Sequence, residues 1–331
     1  MSGTSHRGAT LALVGGLILL VAAVLVSFTV GQGEVSVPEA FRALVSPDAG
    51  DDAHLTVRTV RVPRALLAML VGAALALSGA LVQTLTRNPL AEPGLLGVTA
   101  GASFAVVVAT QFLDVTGQVA TLVVAFVGAA LAAFVVQAVG GADPLRLLLA
   151  GVALTAVLAG FSIGIRLTDP DTFDTYRFWS VGSLAGREQL PLLVPCVVLM
   201  AALAAALLLG RPLSAVLLGD EVAHGLGVSV LRTRVLTLLV ATVLAATATA
   251  VAGPIMFVGL IVPHLVRRIA QGSITWLLLL CLVTGPLLVV LSDTLARVLL
   301  ETGEVPVAIL TAVIGGPMLI WVVRRNGAVG L

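Results

Sequence analysis

Long uncharged runs alternate with short polar intervals along almost the whole chain. Windows without a charged side chain extend from 8 to 33, 65 to 86, 93 to 113, 115 to 142, 147 to 165, 189 to 210, 269 to 292 and 305 to 323. Each can cross about 30 Å of hydrocarbon at about 1.5 Å per residue. A ninth window, 235 to 266, holds 32 residues, more than one helix needs and too few for two full spans, and Gly253-Pro254 and Pro263 interrupt it. It divides into one full span and a short broken helix, so the pattern predicts about ten transmembrane helices. The first run, LALVGGLILLVAAVLVSFTV, exceeds a signal-peptide core and lacks a clear A-x-A site, which makes it a retained span.

Composition sharpens this into a class. With 59% hydrophobic and 11% charged residues and a mean hydropathy of +1.14, the chain is an all-α polytopic protein whose solvent is the lipid membrane. Residues 1–331 form one multi-pass transmembrane domain. All 18 basic residues are arginine. Without lysine there is no Walker A or Schiff-base lysine, so the chain is not a P-loop ATPase by itself. A net charge of +1 gives no reason to expect a nucleic-acid partner. Cys196 and Cys281 fall inside apolar runs, where a thiol packs as a small hydrophobe, and neither a disulfide nor a metal is assigned. Arginine asymmetry between loops is slight and does not by itself orient the chain.

Four stretches carry a resemblance. RVPRALLAMLVGAALALSGALVQTLTRNPLAEPGLLGVTAGA (61 to 102), YRFWSVGSLAGR (176 to 187), LGDEVAHGLGV (218 to 228) and AGPIMFVGLIVPHLVRR (252 to 268) are similar, in the same order, to the FecCD permeases. These are transmembrane subunits of bacterial ABC importers for ferric siderophores, haem and cobalamin. The resemblance implies a ten-helix subunit with both termini in the cytoplasm. It also implies a second permease subunit (the same chain or a paralogue), two ATP-binding subunits below, and an extracytoplasmic substrate-binding protein above. This chain is then no enzyme and binds no cofactor of its own, ATP and Mg being used by the partner ATPase. YRFWSVGSLAGR looks more like the siderophore branch, which makes a ferric siderophore the expected substrate. Cobalamin or haem is the alternative within the family. An ion-coupled secondary transporter would need ionisable groups at mid-membrane, and the windows have none.

The polar stretch LLGDEVAHGLGV lies in a segment, about 211–234, that the resemblance assigns to ATPase coupling. Gly219 precedes Asp220, a candidate helix N-cap followed by Glu221. Gly225 and Gly227 can end a short helix. Leu218, Val222 and Leu226 recur at spacing four and form one apolar stripe for a partner groove. The loops TRNPLAEPGLLG and GADPLRLLLAG correspond to a cytoplasmic gate, with Asn88, Pro89, Pro144 and Leu145 as candidates.

The topology that the resemblance implies places Arg61, Arg64 and Arg297 at helix ends on the external face. By residue type alone they are interface anchors; by resemblance they pair with glutamates of the binding protein through bidentate contacts. The external loop, about 166–189, contains Asp169, Asp171 and Asp174 without the glycine and closing glutamate of a calcium loop. Tyr176, Phe178 and Trp179, with Gly182 and Gly186 at GxxxG spacing, suggest a short helix near the pathway mouth.

Overall fold

The computed structural model describes residues 3–31, 33, 35–48, 50–115, 117–141, 143–187, 190–300 and 303–326. A long helix α1 (Gly3–Thr29) is followed by two short ones, α2 (Val37–Val45) and α3 (Asp52–Thr56). A π turn at Val57–Arg61 then leads without a break into α4 (Val62–Thr86). After a 3-10 turn at Pro93–Leu96 come α5 (Val98–Leu113), α6 (Gln118–Gly140), α7 (Pro144–Thr168) and α8 (Pro170–Ser180). The remaining helices are α9 (Leu193–Leu208), α10 (Gly210–Leu217), α11 (Asp220–Gly225), α12 (Val230–Ala252), α13 (Val258–Ala270), α14 (Ile274–Ala296) and α15 (Val307–Asn326).

Every uncharged window becomes a helix, and the 32-residue one splits into α12 and the 13-residue α13. Six of the described helices are long and apolar enough to cross a membrane, or seven if α9 and α10, bent by 42°, count as one span. Helices α5 and α15 are shorter apolar segments. At about 1.5 Å per residue α5 reaches only about 24 Å, and the 3-10 turn at Pro93–Leu96 leads directly into it.

Helix α4 is the centre of the bundle and packs against α1, α9, α12, α13 and α14. Lipid tails give no hydrophobic incentive to bring helices together, so close van der Waals approach has to do so, and small residues permit it. Gly72 faces the backbone of Gly285 on α14, and Gly79 faces that of Gly259 on α13; a Cβ at either α4 position would collide with a carbonyl. Leu67, Leu77 and Leu81 of the same helix are fully buried. By contrast α1 carries Leu11, Ile18 and Leu19 outward, as a lipid-facing span does.

Pro263 does not break its helix, as its sequence context suggests, but lies inside α13. Proline has no N–H, so the carbonyl four residues back, Gly259, loses its intrahelical donor. Gln83 of α4 fills that place: its Nε2 donates to Gly259 O at 3.1 Å and to Leu260 O at 3.2 Å, and its Oε1 accepts from Arg267 Nη2 at 2.9 Å. The actual break is the segment between α12 and α13, where Gly253 and Phe257 hold φ of +74° and +70°. For phenylalanine that is a strained conformation. Glu92 holds it in place, accepting the Phe257 N–H at 3.0 Å.

Candidate functional site: two ends and a chamber

At one end of the bundle the C-termini of α4 and α6 meet the N-termini of α7 and α12 around α10 and α11. The expected coupling stretch forms α11, a six-residue helix. Its buried side is small: Ala223 packs with Ala215, Val216 and Val230. Its outer side is the stripe read from spacing, with Leu218, Val222 and Leu226 exposed at 67%, 47% and 62%. Gly219, not Asp220, is the N-cap, with φ +113° and ψ 153°. The Asp220 carboxylate serves elsewhere, accepting from Arg234 Nη2 of α12 at 3.1 Å. Gly227, at φ +76°, makes the turn that follows, whereas Gly225 is the last helical residue and needs no special conformation. Glu221 lies exposed in the first turn.

Beside α11 the two expected gate loops come together in part. Asn88 and Leu145 line one cavity of about 210 Å³ with Thr86, Leu147 and Leu148. Asn88 shapes its own loop, its Oδ1 accepting from Leu90 N at 2.9 Å. Leu145 is 63% exposed. Pro89 does not line that cavity; it sits in a crevice with Ile261, His264 and Met318. Pro144 is the first residue of α7, capped by Asp143, and its side chain falls outside the described residues.

At the opposite end Arg61, Arg64 and Arg297 are not on a rim. They are 3%, 4% and 6% exposed, so the expectation of outward-facing side chains is corrected to a buried cluster. The reason is visible in what they hold. Arg61 donates through Nη1 to Phe28 O and through Nη2 to Gly33 O, both at 2.8 Å. Arg297 Nη1 donates to Ser27 O and Val30 O, both at 3.0 Å. The carbonyls at the C-terminus of α1 have no intrahelical donors, and these two guanidinia supply them. Arg64 grips Asp293 of α14 through Nε at 3.0 Å and Nη2 at 2.8 Å, and its Nη2 lies 2.7 Å from Glu304 Oε2. Arg297 Nη2 completes the cluster 3.2 Å from Asp293 Oδ2. Asp293 went unnoticed in the sequence because it falls one residue past an uncharged window. Its place four residues before Arg297 was the available signal.

Between the ends, α5, α7, α8 and α12 enclose a chamber of about 350 Å³. Glu92, Arg166 and Tyr176 line it with the hydroxyls of Ser103 and Thr249. Arg166 sits over the Tyr176 ring, 4.3 Å from its centroid, and donates through Nε to Ser162 O at 3.0 Å. Tyr176 in turn stands 6.3 Å from Trp179, centroid to centroid. The expected helix near this mouth is α8, but it ends at Ser180. Gly182 and Gly186 follow it in left-handed turns, with φ of +69° and +73°, and form no helical GxxxG face. Asp174 pairs with Arg177 at 3.1 Å; the side chains of Asp171 and Phe178 lie outside the described residues. No group of three or more metal-ligating side chains occurs among the described residues.

Comparisons with known proteins cover nearly the whole chain. The ferric enterobactin transport system permease protein of Escherichia coli strain K12 is 42% identical over 98% of this chain and 98% of its own length. The iron(3+) dicitrate transport system permease protein FecD of the same strain is 37% identical, with 96% of each chain covered. The hemin transport system permease protein of Yersinia pestis is 36% identical over 95% of this chain and 96% of its own. Among solved structures, an inward-facing metal-chelate type ABC transporter superposes with a TM-score of 0.83 at 29% identity, covering 95% of this chain and 98% of that one. The sequence profile of the FecCD transport family matches residues 19–325. The chain belongs to the FecCD transport family.

Proposed function

We propose that this protein is the permease subunit of a bacterial ABC importer and that it forms the translocation pathway for a ferric siderophore. The observation that carries the reading is the outer side of α11: three large apolar side chains held in water on a short, firmly seated helix are a contact waiting for a partner. A cytoplasmic ATPase fits that place, and ATP and Mg belong to it; the permease itself catalyses nothing and binds no cofactor. Two permease subunits, two ATPases and an external binding protein make up the assembly. The binding protein docks at the end that holds Arg61, Arg64 and Arg297, where these buried guanidinia keep their contacts with Asp293 and the α1 carbonyls and fix the docking surface from within. Asn88, Pro89, Pro144 and Leu145 belong to the cytoplasmic gate, and the chamber around Arg166 and Tyr176 belongs to the pathway.

Iron chelates are favoured over other cargo because two of the relatives above are named for ferric enterobactin and ferric dicitrate. The test is iron-limited growth of a deletion strain fed ferric catecholates, ferric hydroxamates, ferric citrate, haem and cobalamin. Loss of growth on one ferric siderophore, restored by the gene, supports the reading; loss on haem or cobalamin alone overturns the substrate class. Uptake by vesicles that follows a proton or sodium gradient and ignores ATP overturns the importer itself.

A further inference from the structure

A cavity of about 630 Å³ opens beside α11, lined by Arg87, Arg234 and Asp220 on its polar side and by Leu231, Val235 and Leu238 on its apolar side. The coupling segment contributes Gly219 and Asp220 to its wall, and none of the roles assigned above uses its interior. Its charges do not cancel: Asp220 answers Arg234 at 3.1 Å, and Arg87 is left with only long contacts to the Leu217 and Val216 carbonyls, 3.3 and 3.5 Å from Nη2. Two cations and one anion therefore face the same space. Its apolar wall continues outward along α12, where Leu231, Val235 and Leu239, at spacing four, are 71%, 49% and 52% exposed. The site lies where α4 and α6 end and α7 and α12 begin, which is the level of the headgroups for helices that span a bilayer.

A small soluble anion would satisfy Arg87 and leave the leucine and valine wall wet. A neutral amphiphile would cover the wall and leave the charge unanswered. We propose that this cavity binds the headgroup of one anionic phospholipid. Its phosphate sits between Arg87 and Arg234, and one acyl chain lies along Leu231, Val235 and Leu239. Basic pockets between transmembrane helices on the cytoplasmic side suit such headgroups, since a phosphate there gains two charge-assisted hydrogen bonds while its chain stays in apolar surroundings. Because Gly219 and Asp220 form part of the wall, the bound lipid also braces the first turn of α11.

Native mass spectrometry of the importer, permease and ATPases together, tests this after delipidation and titration with phosphatidylglycerol, phosphatidylcholine or inorganic phosphate. Phosphatidylglycerol should give at least tenfold higher occupancy than phosphatidylcholine at equal concentration. The Arg87→Gln/Arg234→Gln pair should lose that preference, and the Lys/Lys pair should keep most of it. Arg146→Gln removes an arginine that is 77% exposed and lies outside the lining, and it should change nothing. Val235→Trp, which fills the cavity and leaves both charges, should also abolish binding. Equal adducts with both lipids, or inorganic phosphate displacing phosphatidylglycerol as well as free lipid does, overturns the proposal. So does an importer that takes no lipid while a photo-crosslinker at position 87 captures the ATPase.

Discussion

The Gln83 side chain donates to the carbonyl of Gly259 at the one place where Pro263 has withdrawn the helix's own donor. Two helices thus share a hydrogen bond that neither could close alone, and Arg267 depends on the same amide at 2.9 Å. Gln83→Leu keeps the volume and orphans both groups, so the purified permease should lose about 2–3 kcal/mol. Gln83→Glu should stabilise Arg267 while still losing the donor to Gly259. Thermal unfolding in detergent measures the order, and a Leu variant as stable as the parent refutes this account.

Arg64 and Asp293 are joined across 229 positions of sequence, both almost fully buried. Removing Arg64 leaves the buried Asp293 to Arg297 alone, and removing Asp293 leaves the buried Arg64 to Glu304 alone. Asp293→Ala should cost about 3–5 kcal/mol, as should Arg64→Ala, whereas the double replacement Arg64→Met/Asp293→Leu should recover much of the loss. Arg64→Glu, the obvious charge reversal for testing docking, should misfold because it places a carboxylate beside Asp293. A double-mutant cycle on thermal stability reads the coupling, and additive losses would remove the pair from the list of structural contacts.

On α11 the expectation is the reverse, an effect on partnership without an effect on fold. Leu226 is 62% exposed, so Leu226→Asp should leave the melting temperature of the isolated permease within the range of ordinary surface changes, about 0.5 kcal/mol. Co-purification with the ATPase should fall sharply, because an unpaired charge enters an apolar contact at a cost of several kcal/mol. Normal retention of the ATPase, measured by pull-down and by transport, contradicts the coupling role.

Gly219 holds φ at +113°, which proline, fixed near −65°, cannot adopt. Gly219→Pro should therefore displace α11 from α12 and break the Asp220 to Arg234 contact, with uptake lost and insertion retained. Gly225→Ala, at a position that has ordinary helical geometry, should be silent. A cysteine pair bridging positions 220 and 234 that still crosslinks efficiently in Gly219→Pro would defeat the explanation.

Hydrophobic periodicity made the helices legible because a bilayer leaves a chain few other options. The 235 to 266 window showed its division through its length and the interruption at Gly253-Pro254. The stripe Leu218, Val222, Leu226 was readable because spacing four fixes a common face. What spacing could not reveal is which long-range partner a polar group finds. Asp220 looked like a cap and instead pairs with Arg234, fourteen residues on. Arg61, Arg64 and Arg297 looked like surface charges because sequence gives no measure of depth, and their acceptors are the backbone of α1 and an aspartate at the edge of an apolar run. Pro263 read as a break since nothing local announces that a glutamine 180 residues earlier stands in for its missing donor.

The contacts of Gly72 with Gly285 and of Gly79 with Gly259 set backbone directly against backbone, with no side chain between to change rotamer and absorb a shift. Sliding α4 along α13 or α14 by even part of a turn would drive a neighbouring side chain into a carbonyl. These three helices should therefore travel as one rigid body through a transport cycle. Helices α7 and α12 instead face each other across the chamber of about 350 Å³ that both line, so a cysteine staple across α4 and α14 should leave alternation intact where one across α7 and α12 arrests it.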